Sequence, residues 1–249
     1  MKKPSYWLID AGNTRLKAAF FQGNDLAGEI AVDSREALEG QLSAWPTPHA
    51  GLISNVGGWG FGEWPERFGG HWLSLTPDTP LPIRINYKTP ETLGNDRRAL
   101  AVAGATLYPG RPVLVIDLGT CITYDLVDAE GTYLGGAISP GLQMRLRAMH
   151  HFTSALPLVS LPPAAAEKQA KELVPGPSTE ASLRQGALEG WRGEVGHFRE
   201  AYRAQYPGMV TVVTGGDVDR LAHLPKSSIF ARPKFLLSGL KSILDYNIL

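Results

Sequence analysis

The feature that most constrains this chain is an echo of itself. Residues 6–10 are an apolar run that stops at Asp10-Ala-Gly-Asn-Thr14, and a second apolar run follows over 16–21. Residues 113–116 do the same, stopping at Asp117-Leu-Gly-Thr120 before a run over 122–127. Short apolar runs interrupted by small polar residues predict strand, tight turn, strand. The two aspartates stand 107 positions apart, so the chain predicts two similar units with a boundary near Gly110, over 1–110 and 111–249.

The rest of the pattern fits an α/β chain rather than an all-β one. A turn over 22–24 leads to a strand over 26–32, Ser34 caps a helix through Leu42, and 52–56 is a further strand. A helix is expected from Asn95 to Leu107, ended by Pro109-Gly110, and another over 142–150 after Pro140-Gly141. The proline-bearing stretch 153–177 reads as a loop holding a short helix. Leu183, Ala187, Trp191, Val195, Phe198 and Tyr202 recur at helical spacing. Gly186, Gly190, Gly193 and Gly196 weaken that helix, which predicts close packing or a local break. A strand over 210–213 ends at Thr214-Gly-Gly216, and a short helix follows through 224. Leu236, Leu240, Ile243 and Leu244 stripe a C-terminal helix that is free to pack back on the first unit.

Composition excludes several function classes. Lys and Arg number 24, as do Asp and Glu, and this balance argues against a nucleic-acid or anionic-membrane partner. No apolar stretch reaches membrane-spanning length, and the run after Lys2 and Lys3 is broken by Asp10, Asn13 and Arg15. The one cysteine, Cys121, rules out an internal disulfide and suits a reducing compartment, so a cytoplasmic location is expected.

The two acidic turns are the first candidates for chemistry. Gly12 and Gly119 let a ligand approach the backbone, while Asn13, Thr14 and Thr120 offer polar contacts. Lys17 lies close enough to meet an anion held by the first turn. With Gly215 and Gly216 they form a three-part nucleotide cradle unlike a Walker loop, since no GxxxxGK[ST] run is present. Carboxylates beside polyphosphate call for a cation, and Mg²⁺ supplies it. The plainer alternative for each turn is local backbone capping.

Gly94-Asn-Asp-Arg97 opens the helix at 95. Asp96 can cap backbone amides there. It can equally orient a substrate hydroxyl and accept its proton during phosphoryl transfer. Arg97 can hold a substrate carboxylate or stand as a solvated helix-end charge. Tyr87 lines the same pocket or anchors a loop. His150 and His151 read as helix-end residues, Cys121 as a packed side chain, and Trp59, Trp64 and Trp72 as anchors for irregular surface segments.

Six ordered segments closely resemble type III pantothenate kinases, the family that includes the Bvg accessory factors. They are Asp10-Ala-Gly-Asn-Thr-Arg-Leu-Lys17, Tyr87-Lys-Thr-Pro-Glu-Thr-Leu-Gly-Asn-Asp-Arg97 and Asp117-Leu-Gly-Thr-Cys-Ile-Thr-Tyr-Asp125, then Gly135-Gly-Ala-Ile-Ser-Pro-Gly141, Thr179-Glu-Ala-Ser-Leu-Arg-Gln-Gly186 and Thr214-Gly-Gly216. The resemblance implies two ribonuclease H-like domains of the acetate/sugar kinase–Hsp70–actin superfamily. It implies ATP-dependent phosphorylation of pantothenate to 4′-phosphopantothenate, the first step towards coenzyme A. By the same resemblance, Asp10, Gly12, Asn13, Thr14, Lys17, Thr120, Gly215 and Gly216 bind ATP with Mg²⁺. Tyr87, Gly94, Asn95, Asp96 and Arg97 bind pantothenate, with Asp96 as proton acceptor. Asp117 would hold a monovalent cation, K⁺ or NH₄⁺, and Thr179 of a second subunit would complete the site in a homodimer. Cys121 departs from the family's usual alanine. Another small-molecule kinase or phosphatase of the superfamily, or a non-catalytic transcription-accessory regulator, stand as alternatives.

Overall fold

The computed structural model describes residues 3–164, 175–221, 229–231 and 234–248. The chain divides into two units, one of residues 1–106 with 235–249 and the other of residues 107–234.

In the first unit, β1 (Ser5–Ala11), β2 (Leu16–Gln22) and β3 (Asp25–Val32) form an antiparallel meander. After helix α1 (Arg35–Leu42), β4 (Ala50–Asn55) joins parallel to β1. Past the short α2 (Trp64–Phe68), β5 (His71–Ser74) joins parallel to β4. The resulting order is β3-β2-β1-β4-β5. A two-residue strand, β6 (Arg84–Ile85), and helix α3 (Asn95–Leu107) follow. Ser34 caps α1 as its sequence predicts, its hydroxyl accepting the Ala37 N–H at 3.2 Å.

Strand alternation sends side chains of the first sheet to two cores. Trp7, Ile9 and Ala11 meet Leu38, Leu42, Phe61 and Trp64 on one face. Tyr6 and Leu8 meet Ala99 and Val102 of α3 on the other, together with Leu240, Ile243 and Leu244. Those last three belong to α6 (Phe235–Ile248), which packs against β1 and β4. A Cβ at Gly239 would lie 1.8 Å from the Ala99 carbonyl oxygen, so α6 lies directly on the α3 backbone. Burying each of these leucines and isoleucines contributes about 1.5–3 kcal/mol.

The second unit repeats the scheme. β7 (Val113–Leu118), β8 (Cys121–Val127) and β9 (Thr132–Pro140) form an antiparallel meander. α4 (Leu142–His151) and α5 (Thr179–Gln205) then precede β10 (Val210–Thr214), which is parallel to β7. β11 (Ile229–Ala231) is parallel to β10. Among these strands the order is β9-β8-β7-β10-β11, the pattern of the first sheet with each strand replaced by its counterpart. The echo in the sequence is thus an echo in topology.

Two features differ from the sequence reading. α5 runs unbroken for 27 residues, and a Cβ at Gly186, Gly193 or Gly196 would meet nothing within 4 Å. Neither close packing nor a break accompanies those three glycines; Leu183, Ala187, Trp191 and Val195, buried on the opposite stripe, hold the helix. Trp64 is no surface anchor but a core residue, 1% exposed, packed on Phe61 and Phe68. The short helix expected after Thr214-Gly-Gly216 begins as a 3₁₀ helix, Val218–Leu221. The remainder of that stretch, and most of the alanine-rich piece at 164–166, lie outside the described residues.

Candidate active site

The first acidic turn is built by strand register. β1 and β2 pair Asp10 with Lys17 and Ala11 with Leu16, leaving residues 12–15 as the loop. The Gly12 N–H closes that loop on the Arg15 carbonyl at 3.0 Å. Pairing puts the Asp10 carboxylate and the Lys17 ammonium on one face of the hairpin. Asn13, Thr14 and Lys17 stay exposed, while Asp10 is 6% exposed.

Asp10 lies on the even-numbered side of β1, the side that faces α3. Burial pushes its carboxyl up from the ordinary 3.8 to about 6; Lys17 opposes the rise and Asp96 adds to it. An ionised Asp10 is therefore held at a cost, and a cation beside it would relieve that cost.

Asp96 comes from the first turn of α3. Its Oδ1 accepts the Arg97 N–H at 2.8 Å, and a Cβ at Gly94 would sit 2.5 Å from the same oxygen. The carboxylate thus folds back over Gly94. The local reading as a helix-end acceptor of a backbone N–H is thereby realised. Asn95 donates its side-chain N–H to the Leu75 carbonyl at 2.7 Å. Arg97 is buried and Tyr87 half-buried.

Arg98 was not singled out by its sequence. It is 2% exposed, and its guanidinium donates to the carbonyls of Leu93 at 3.1 Å, Pro77 at 3.2 Å and Pro90. It thereby ties down the loop that leads from Tyr87 to Gly94. The available signal was the double arginine at a helix start, where one guanidinium is a surplus charge unless carbonyls receive it.

The second acidic turn is tighter. Leu118 pairs with Ile122, so only residues 119–121 make the bend, with the Gly119 N–H on the Cys121 carbonyl at 3.1 Å. Asp117 is half-buried, flanked in register by Thr123 on β8 and Thr214 on β10. Two glycines clamp the turn. A Cβ at Gly141 would meet the Gly119 and Thr120 carbonyl oxygens at 2.4 and 2.5 Å, and the Gly141 N–H bonds to Thr120 O at 3.1 Å. Gly215, at φ +99°, would bring a Cβ within 2.5 Å of the Leu118 backbone. Thr120 and Gly216 are exposed at this end of the sheet.

Thr179 stands exposed in the first turn of α5, whose N-terminus is capped by the Ser178 hydroxyl on the Ala181 N–H at 3.2 Å. The same helix carries a polar hub. Glu194 accepts from Tyr124 at 2.9 Å, from Ser139 and from Arg145. Burial pushes its carboxyl up, but those donors outweigh it and hold the group below its ordinary value. Burial, then Glu194, pushes the Tyr124 hydroxyl up.

Among the described residues no group of three or more His, Cys, Asp and Glu side chains is placed to hold a metal, and no helix is long and apolar enough to cross a membrane. His150 lies in the last turn of α4 with its Nδ1 2.7 Å from the Leu156 carbonyl.

The sequence pattern of the family described as type III pantothenate kinase matches residues 61–201, more than half of the chain. A type III pantothenate kinase from Christiangramia forsetii is 40% identical over 244 residues, covering 96% of this chain and 98% of the relative. One from Phocaeicola vulgatus is 39% identical, covering 96% and 98%. Among solved structures, a Campylobacter jejuni protein assigned to the Baf family of transcriptional activators superposes with a TM-score of 0.59 at 21% identity, covering 97% and 98%. The activator of a Clostridium difficile 2-hydroxyisocaproyl-CoA dehydratase gives 0.55 at 12% identity, covering 98% and 96%. The α/β fold of these structures is thus the fold of this chain, as expected from the resemblance of its sequence.

Proposed function

We propose that this chain, which belongs to the type III pantothenate kinase family, transfers the γ-phosphoryl group of ATP to the primary hydroxyl of pantothenate. The observation that carries the reading is relatedness along 96% of the chain, together with the acidic turns in both units.

Asp10, Gly12, Asn13, Thr14 and Lys17 of the first acidic turn take the phosphates of ATP, and Thr120, Gly215 and Gly216 are proposed as further nucleotide contacts. Tyr87, Gly94, Asn95 and Arg97 hold pantothenate, Arg97 meeting its carboxylate. Asp96 orients the hydroxyl and receives its proton late in the transfer, when the transition state is loose and a weak base suffices. The oxygen–phosphorus bond forms as the bond to the β-phosphate oxygen breaks, and ADP leaves. Lys17 and backbone N–H groups offset charge on the transferring group.

The residues fit the cations the family uses. Asp10, a buried carboxylate whose charge Lys17 only partly offsets, suits Mg²⁺ held largely by phosphate and water rather than by a protein cage. Asp117, half-buried at the second acidic turn, would supply a carboxylate to K⁺ or NH₄⁺. When bound, such cations neutralise phosphate charge. A homodimer in which Thr179 of one subunit completes the pantothenate site of the other belongs to the same reading. It is supported by the exposure of Thr179.

The test is ADP release with pantothenate and with a panel of sugars, glycerol and acetate, in potassium and in sodium at equal ionic strength. Turnover with pantothenate alone, faster in potassium, is expected. Turnover with another acceptor instead would overturn the substrate, and equal rates in both salts would overturn a selective site at Asp117.

A further inference from the structure

The segment after β4, Val56-Gly-Gly-Trp-Gly60, has no role in the reaction as described so far, yet it is fastened to the first acidic turn. The Ala11 carbonyl receives the N–H groups of both Val56 and Gly57, each at 3.0 Å. The next carbonyl, that of Gly12, receives the Trp59 indole N–H at 2.8 Å. Trp59 is held in turn by Asn55: the Asn55 amide donates to the Trp59 carbonyl at 2.6 Å and accepts the Trp59 N–H at 3.1 Å. The fit leaves no room at Gly57, where a Cβ would lie 2.2 Å from the Gly12 oxygen and 2.6 Å from the indole nitrogen.

This arrangement fixes a peptide plane. In a trans peptide the C=O and the following N–H point in opposite directions. The Gly12 carbonyl faces Trp59, so the Asn13 N–H of the same peptide faces away from it. No hydrogen bond among the described residues uses that N–H, whereas the Gly12 N–H is already spent on Arg15. An N–H group aimed outward from a glycine turn is what a phosphate oxygen binds.

We propose that Trp59, held by Asn55, is a positioning residue for the nucleotide: its indole N–H locks the 12–13 peptide so that the Asn13 N–H meets a phosphate group of ATP or ADP. The inference rests on the proposed nucleotide role of the first turn. Without the indole donor the peptide is free to rotate and the turn must be ordered by the ligand, which weakens binding. Pantothenate makes no use of that peptide.

Trp59→Phe removes the donor and keeps an aromatic ring at a half-buried position; Asn55→Ala releases Trp59 from β4. ADP binding by calorimetry, KM for ATP and KM for pantothenate are measured on each, with circular dichroism as a check on folding. Trp59→Phe is expected to weaken ADP and raise the KM for ATP by roughly 3- to 10-fold, the scale of one hydrogen bond, with the KM for pantothenate within about twofold. Asn55→Ala moves the same quantities in the same direction, and the double variant is no worse than Trp59→Phe because both act through one contact. ADP affinity within about twofold of the unmodified protein in folded Trp59→Phe, or equal losses for both substrates, overturns the proposal. If Trp59→Phe is unfolded, Asn55→Ala decides it alone by the same criterion. An unmodified protein that binds no ADP refutes the nucleotide reading itself, and this inference with it.

Discussion

Replacing Asp10 by asparagine should make the ligand-free protein more stable and less active. The carboxyl is 6% exposed, and burial lifts it from 3.8 to about 6. Between those two values the folded chain binds more protons at this site than the unfolded chain does, so stability falls as pH rises through that window and stays low above it. The full difference corresponds to about 3 kcal/mol, since each tenfold change in proton affinity is worth about 1.4 kcal/mol. Asparagine has nearly the same shape and no charge to strand. Asp10→Asn should therefore match the unmodified protein near pH 4 and exceed it by about 2–3 kcal/mol at pH 8. At about 2–4 °C per kcal/mol for a chain of this length, that is roughly 5–10 °C in Tm. Thermal unfolding without nucleotide or divalent cation, at pH 4, 6 and 8, measures it. A variant less stable than its parent at pH 8, or a gap that does not grow with pH, would refute the idea that burial strains this carboxylate. Turnover should fall in the same variant, because the strained charge is the one proposed to serve the nucleotide's cation.

Gly215→Ala drives a Cβ to 2.5 Å from the Leu118 backbone at φ +99°, and should cost about 2–4 kcal/mol by chemical denaturation; a change under about 1 kcal/mol would mean that the second turn is not clamped there. Glu194→Ala strands the Tyr124 and Arg145 donors and should cost about 1–3 kcal/mol at neutral pH. Because the folded Glu194 carboxyl lies below its ordinary 4.5, that loss should be full above 4.5 and shrink as pH falls through the lower folded value; a pH-independent loss would argue against the charge. Gly193→Ala on the open side of α5 should stabilise by about 0.5–1 kcal/mol in urea unfolding, and destabilisation would reveal a surface that packs against that face.

Much of the fold was legible because local signals agreed with one another. The echo between Asp10 and Asp117 announced two units, and strands β7 to β11 repeat the order of β1 to β5. Strand ends and the cap at Ser34 were visible because turns and caps depend on neighbouring residues. Roles set by partners distant in sequence were hidden. Arg98 reads as one more helix-start cation until the carbonyls of Pro77, Pro90 and Leu93 converge on it. Trp59 reads only as an anchor for a surface segment, and Gly57 carries no local signal, until strand pairing brings them beside Gly12, 45 and 47 positions earlier. The glycines of α5 misled for the opposite reason. Propensity counts their cost in isolation, while the buried stripe from Leu183 to Val195 sustains the helix without them. At the site, Asp96 had two local readings, and its bond to the Arg97 N–H satisfies one without removing the other.

The most direct test follows the labelled phosphoryl group. Purified protein is incubated with γ-labelled ATP, Mg²⁺, K⁺ and pantothenate, beside a folded Asp96→Asn variant whose ADP affinity has been measured. Label should appear on the primary hydroxyl of pantothenate, giving 4′-phosphopantothenate. In the variant, kcat should fall by roughly 10²–10⁴ while ADP binding changes little, as expected when a positioned proton acceptor is lost from an intact nucleotide site. Absence of labelled pantothenate with the unmodified protein, or near-normal kcat in Asp96→Asn, would contradict the account.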